Sequence, residues 1–341
     1  MTEHPYSYKP SPKFFGDGNI FLGLELEVEA PDYEKKQEGL QAERDPSWCY
    51  AKRDGSLSTY GWEMVTHPIS MNFWMSREDT RTYSDYHDIE PGTVLTGRYK
   101  GVTYTAIARP GRTFEYNGRI YRSMTACGRA IGIKENGYRF FGLIRNHQPN
   151  PVGSFFRLVD TLKRLGYSSH DSGRCGFHVH VSRTAFSEDG HLRNPVFFRF
   201  KSLVNGLLFR KLSQRDRFDY CQQSPVDPYN FHEQNYYSRN MAVNITDKTV
   251  EVRLFRGNLR EDRLRKNIEA VIAAIEFSKD PTLWSPDCDA QYDPPSNLQF
   301  AEYVRERRHR FPNLVAYIGS VLSPTPEINL SSDVVDVEVL E

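Results

Sequence analysis

An α+β fold with a small inserted β-rich unit is predicted by two observations. First, three short segments alternate apolar and polar residues with the period of a half-buried strand, and stretches of helical spacing lie between and after them. Second, a Gly-, Tyr- and Arg-rich stretch interrupts that series after the first strand. It carries Asn117-Gly118 between two β-prone runs, the mark of a tight hairpin. The predicted division is a discontinuous host at 1–77 and 149–322, an insert at 78–148 and an acidic tail at 323–341.

The elements follow in order. Residues 1–18 read as an extended arm. From Ile20 a strand places Leu22, Leu24, Leu26 and Val28 on one face and Gly23, Glu25, Glu27 and Glu29 on the other. A second extended stretch follows the Asp54-Gly55 turn and carries Trp62 to Val65. Within the insert, residues 93–122 read as short strands, Ser123 to Ala130 as a short helix and Tyr138–Ile144 as a last strand. Asn150-Pro151 opens a helix with proline at its first position, and Gly166 ends it. The next strand is Cys175 to Ser182. A single long helix is expected to carry Leu203, Val204, Leu207 and Leu208. The strand Thr249 to Phe255 sets Val250, Val252 and Leu254 against Glu251, Arg253 and Phe255. Leu264, Ile268, Val271, Ile272 and Ile275 mark a further helix, and two more cover 297–310 and 312–322.

Composition narrows the class. Lys and Arg total 44 against 44 Asp and Glu, which excludes a uniformly basic coat for nucleic acid. Aromatics at 13% exclude a chain too polar to bury a core. No apolar run reaches the roughly 18 residues of a membrane span, so no membrane partner is expected. Five widely spaced cysteines without a CxxC pair fit free thiols in a reducing cytoplasm, and no secretory signal is read at the start. Oligomeric state is not readable.

Three strands place ionisable residues opposite an apolar face: Glu25 with Glu27, His178 with His180, and Glu251 with Arg253. Residues two apart on a strand project to one side, with Cα atoms about 6.5–7 Å apart. If the strands are neighbours, the pairs converge on one polar basin, which Glu63 can join. Carboxylates with imidazole and arginine suit Mg²⁺ or Mn²⁺ held together with a phosphate-bearing ligand. The number of acids exceeds what a three-ligand zinc site needs.

The order of these motifs carries a resemblance. Gly23-Leu24-Glu25-Leu26-Glu27 comes first, then Lys52-Arg53-Asp54-Gly55-Ser56-Leu57 and Gly61-Trp62-Glu63-Met64-Val65. Cys175-Gly176-Phe177-His178-Val179-His180-Val181-Ser182 follows, then Asn244 with Thr249-Val250-Glu251-Val252-Arg253-Leu254-Phe255-Arg256-Gly257. Together, over about 19–75 and 149–280, they resemble the amidoligase family, carboxylate–amine ligases similar to glutamine synthetase. The resemblance implies a curved antiparallel sheet with helices behind it, and ATP-dependent amide formation through an acyl phosphate. It implies that Glu27 and Glu63 hold one metal, and that Glu25, His178 and Glu251 hold another. His180, Arg253 and Arg256 would contact the γ-phosphate and the developing charge. Lys52 and Asp54 would line the substrate and cofactor side. The cofactors implied are ATP and Mg²⁺ or Mn²⁺. The partners are a carboxylate and an amine, peptides or proteins among them.

Residues 97–147 hold ten Lys and Arg against two acids, with tyrosines and phenylalanines interleaved. Such a surface suits phosphate backbones and stacked bases, so nucleic acid is a second expected partner. Pro91-Gly92-Thr93, Phe114 to Ser123 and Asn136-Gly137-Tyr138-Arg139-Phe140-Phe141 resemble the restriction-adenine-methylase-associated domain, for which DNA binding is predicted. That family usually has Trp near the final Asn-Gly, where Phe140-Phe141 stand here. The Arg305–Arg310 cluster reads as a solvated helix end. Two rival functions remain open at this stage. One is a metal-dependent hydrolase using the His178/His180 pair. The nearest Glu after it, Glu188, is eight residues on, against a cupin spacing of four or five. The other is a non-catalytic nucleic-acid-binding protein on a ligase scaffold.

Overall fold

The computed structural model describes residues 1–43, 46–76, 91–110, 113–133, 140–141, 150–170, 175–219, 221–223, 225–233, 240–284 and 292–322. The protein is α+β. Its larger sheet is mixed and has eight strands: β1 (Glu3–His4), β2 (Phe21–Glu29), β3 (Cys49–Lys52), β4 (Gly61–Thr66), β5 (Ile69–Ser70), β10 (Gly176–Ser182), β11 (Val243–Ile245) and β12 (Thr249–Arg256). The order is β1-β3-β4-β2-β10-β12-β11, with β5 paired to β2. Every pairing is antiparallel except β1 with β3, which is parallel. The arm expected at 1–18 is therefore docked, through β1 and through a bridge from Phe15 to Ile69.

Alternation on β2 works as predicted: Leu22, Leu24, Leu26 and Val28 are fully buried. They share a core with Val179, Val181, Val250, Val252 and the apolar faces of helices α4 (Pro151–Arg164), α5 (Pro195–Val204), α6 (Leu207–Ser213) and α7 (Glu261–Lys279). Asn150 caps α4 through its Oδ1, which accepts the Gly153 N–H at 2.9 Å, and Pro151 follows at the first helical position. The single helix expected through Leu203 and Leu208 is broken into α5 and α6. Asn205 caps the first and Gly206 opens the second, where a Cβ would meet the Leu203 carbonyl and Asn297 Oδ1 at 3.0 Å. Helices α8 (Asn297–Glu306) and α9 (Pro312–Leu322) complete the layer.

A four-stranded sheet lies in the inserted stretch: β6 (Val94–Tyr99), β7 (Val102–Arg109), β8 (Thr113–Tyr116) and β9 (Arg119–Tyr121), in sequential antiparallel order. Asn117 and Gly118 both have positive φ, 49° and 72°, as the tight turn between β8 and β9 requires. Ser123 caps α3 (Met124–Ala130). This sheet has its own small core of Leu95, Ala106, Ala108, Phe114, Met124, Cys127 and Phe141. The strand expected at Tyr138–Ile144 lies, apart from Phe140 and Phe141, outside the described residues. So do 77–90 and the acidic tail 323–341. Helix α2 (Met71–Met75) and α1 (Tyr33–Ala42) were not anticipated from sequence.

Candidate functional site

Strand register assembles the site. Glu27 on β2 lies opposite Glu63 on β4, and Lys52 on β3 lies opposite Glu63. One row along, Glu25 faces His178 of β10. A row further, His180 faces Glu251 of β12, which faces Asn244 of β11. The three sequence-predicted pairs thus share one face of one sheet, and Glu63 joins them.

The contacts are dense. His178 Nδ1 lies 3.4 Å from Glu251 Oε1 and 3.6 Å from Glu25 Oε2, and its Nε2 lies 3.9 Å from Glu27 Oε1. His180 Nε2 is 3.3 Å from Glu25 Oε1 and 3.8 Å from Glu251 Oε1. Arg253 Nη1 donates to Glu251 Oε1 at 3.0 Å, and Asn244 Nδ2 donates to Glu251 Oε2 at 2.7 Å. The Gly176 N–H donates to Glu27 Oε2 at 2.5 Å. Lys52 Nζ sits 2.9 Å from Glu63 Oε2 and 3.8 Å from Glu25 Oε1. Asp54 accepts the Ser56 N–H at 2.7 Å in the following turn, and its charge reaches Glu27.

Burial sets the electrostatics. Glu27, Glu63, His178 and Glu251 are all buried. Burial, together with the charge of Glu25, pushes the Glu63 carboxyl up to about 9 against the pull of Lys52. Burial raises Glu27 as well, opposed by His178 and the Gly176 N–H. Burial also works against ionised Glu25, but the His180 and His178 imidazoles and Lys52 outweigh it and hold that carboxyl well below the usual range. Glu251 is lowered in the same way, by His180, His178 and Arg253 against its burial. His180 is raised, because Glu25 and Glu251 outweigh its desolvation.

Four carboxylates therefore share a buried face with two permanently cationic side chains, Lys52 and Arg253. Taking such charge out of water is costly unless it is matched. Two groups have oxygen and nitrogen atoms within 4.8 Å of one another: Glu25, His178 and Glu251, and Glu27, Glu63 and His178. His178 belongs to both. Its Nδ1, and His180 Nε2, are buried without an aligned hydrogen-bond partner among the described residues, although carboxylate oxygens face them. A hard divalent cation fits this donor set of carboxylate oxygens and imidazole nitrogen. No three-ligand group among the described residues contains both His178 and His180.

One expectation is corrected. Period-two parity sets Phe255 on the polar face with Glu251 and Arg253. Instead Phe255 is fully buried in the core, its ring centroid 6.5 Å from that of Phe177. The reason is a bulge: Phe177 pairs with Phe255 but Val179 with Val252, so β12 holds one extra residue. That slip reverses parity beyond Arg253. Arg256, out of phase in the sequence, now pairs with Gly176 and joins the polar face. Sequence reasoning also missed Arg215. A Cβ placed on Gly176 would lie 2.6 Å from Arg215 Nη2 and 2.8 Å from His178 Nε2, so this arginine crosses the end of the basin. Nothing local in the sequence around Arg215 marks it.

Two arginines of the Arg305–Arg310 cluster are tied down, Arg310 by Glu276 and Arg307 by Asp280 at 3.5 Å, while Arg305 and Arg308 are exposed. No helix among the described residues is long and apolar enough to cross a membrane. In comparisons with known proteins, a family described only as a protein of unknown function, DUF2924, matches residues 53–144. The match covers just over a quarter of the chain and runs from the host strand bearing Glu63 through the four-stranded sheet. No curated protein and no solved structure matches the chain.

Proposed function

We propose that the protein is an ATP-dependent carboxylate–amine ligase of the glutamine-synthetase-like kind, with the eight-stranded sheet as its catalytic surface. The observation that carries this reading is the pair of overlapping ligand groups, Glu27–Glu63–His178 and Glu25–His178–Glu251, with Arg253 hydrogen-bonded to Glu251. Divalent Mg²⁺ or Mn²⁺ bound there would neutralise phosphate charge. The substrate carboxylate attacks the γ-phosphorus of ATP, and ADP leaves. The amine nitrogen then attacks the acyl carbon, phosphate leaves with the proton that the nitrogen gives up, and an amide remains. Phosphoryl transfer needs positioning and charge stabilisation more than covalent help from the protein. Arg253 and Arg256 supply fixed positive charge beside the carboxylates. His180, held between Glu25 and Glu251 and favoured in its charged form, orients the transferred group. Asn244 fixes the Glu251 carboxylate.

The test is ATP turnover with a panel of acids and amines. Turnover that requires both co-substrates, and falls at least about 100-fold in Glu27→Gln and Arg253→Ala, is the expected result. ATP and Mn²⁺ affinities unchanged in both variants would remove the assigned site. Metal-dependent hydrolysis at the same residues is the rival outcome: turnover of an ester or amide without ATP would favour it.

For the inserted unit, a separate observation favours nucleic acid as partner. Arg98, Lys100, Arg119 and Arg122 are exposed and make no ion pair among the described residues. Full-length protein should bind duplex DNA with an affinity that falls steeply as salt rises. Absence of any salt-dependent binding defeats that assignment and leaves the ligase reading intact.

A further inference from the structure

Beside the Gly176 end of the basin lies a pocket of about 180 Å³, lined by His170, Cys175, Arg215, Asp216, Arg217 and Arg256. At roughly 30 Å³ per water it has room for about six. Three guanidinium groups face one carboxylate there. Among the described residues none of the three arginines makes an ion pair. Arg215 Nη2 donates to the Phe255 carbonyl at 3.0 Å and Arg256 Nη1 to that of Gln214 at 3.4 Å. These contacts aim the two side chains without neutralising them. Arg215 Nε is buried and lacks a hydrogen-bond partner, an arrangement that calls for an explanation. The bulge on β12 brings Arg256 into phase with Gly176, and the missing side chain at Gly176 lets Arg215 approach His178. Arg215 and Asp216 also line a wider groove of about 730 Å³ with Arg210, Lys211, Phe218 and Tyr317.

We propose that Arg215, Arg217 and Arg256 form an oxyanion subsite, for a carboxylate or phosphate group of a ligand whose reacting end lies at the Glu27–Glu63–His178 group. Planar guanidinium groups match either oxyanion in a bidentate manner. The inference rests on the ligase reading for the identity of that ligand. It makes the ligand at least doubly anionic: either the acid substrate carries a second acidic group, or the nucleotide's phosphates reach past Gly176.

Isothermal titration of the full chain in Mg²⁺ tests this with two probes. Glutarate stands for a diacid substrate and pyrophosphate for the nucleotide. The variants are Arg215→Gln and Arg217→Gln. Because Arg217 is exposed, its variant keeps the test valid if the first fails to fold, and thermal melting reports on both. Weakening of either probe by fivefold or more in a folded variant supports the subsite. The probe affected says whether acid or nucleotide occupies it. If neither probe binds the wild type, or both bind the folded variants within fivefold of it, the proposal falls. Arginine-dependent binding without ATP turnover for any acid and amine would instead overturn the ligase reading and leave the subsite standing.

Discussion

The two sheets treat charge in opposite ways. On the eight-stranded sheet, ionisable residues from five strands meet in register and are mostly buried. On the four-stranded sheet the small core faces one side, while Val94, Val102 and Ile120 are exposed on the other strand positions. Its one acid–base pair among the described residues, Arg109 with Glu115, is partly exposed. The difference lies in the neighbours. Strand β2 is flanked on both sides by strands whose polar residues line up with its own, so each carboxylate meets charged groups laterally and across. In the smaller sheet, Glu115 pairs across with Ile107 and Ile120. Alternation alone says which face a side chain takes. Register decides whether charges on that face act together.

The contrast can be broken most severely at His178, which serves both ligand groups. His178→Ala should abolish high-affinity Mn²⁺ binding at both, a loss of at least about 100-fold read by titration with paramagnetic detection. Asn244→Ala leaves every ligand in place but removes the donor to Glu251 Oε2, while Arg253 still holds Oε1. Removal of such an orienting partner should weaken Mn²⁺ about 10- to 100-fold, and the unsatisfied buried oxygen should lower stability by about 1–3 kcal/mol.

A third prediction concerns the layer behind the sheet. Lys266 of α7 is buried, donates to the Leu212 carbonyl, and burial with nearby Arg263 depresses its ammonium to about 7. The unfolded chain holds that proton up to about pH 10.4. Between these values the unfolded state binds more protons, so stability should rise with pH from about 7 to about 10. Lys266→Met should flatten that part of a melting-temperature profile. The smallest effect belongs to the second sheet: Arg109→Ala should change stability by under about 1 kcal/mol by chemical denaturation, because an exposed pair contributes little.

Much of the host was legible because its strands are long enough for alternation to show. The nine residues of β2 and the seven of β10 declare their faces plainly. Strand β3, four residues long, and β11, three, carry too few alternations, although they supply Lys52 and Asn244. Parity failed at Phe255 because an extra residue in one strand leaves no local trace in composition. Arg215 was invisible for a different reason: it is placed by the chain's return after α6, not by any strand pattern. The counter-ion role of Lys52 depends on cross-strand distance, which sequence does not contain.

The central strand gives the site an all-or-none reading frame. Glu25 and Glu27 stand on one strand between the fully buried Leu24, Leu26 and Val28, and each belongs to a different ligand group. Inserting or deleting one residue early in Phe21–Glu29 would turn its glutamates toward the core and its apolar residues onto the polar face at a stroke. Both ligand groups would be lost together, and Glu25, Glu27 and Glu29 would all face the core. Loop changes can adjust how tightly each centre closes, but the interval between the two is ruled by the pleat of a single strand, and drift in the surrounding chain leaves it untouched.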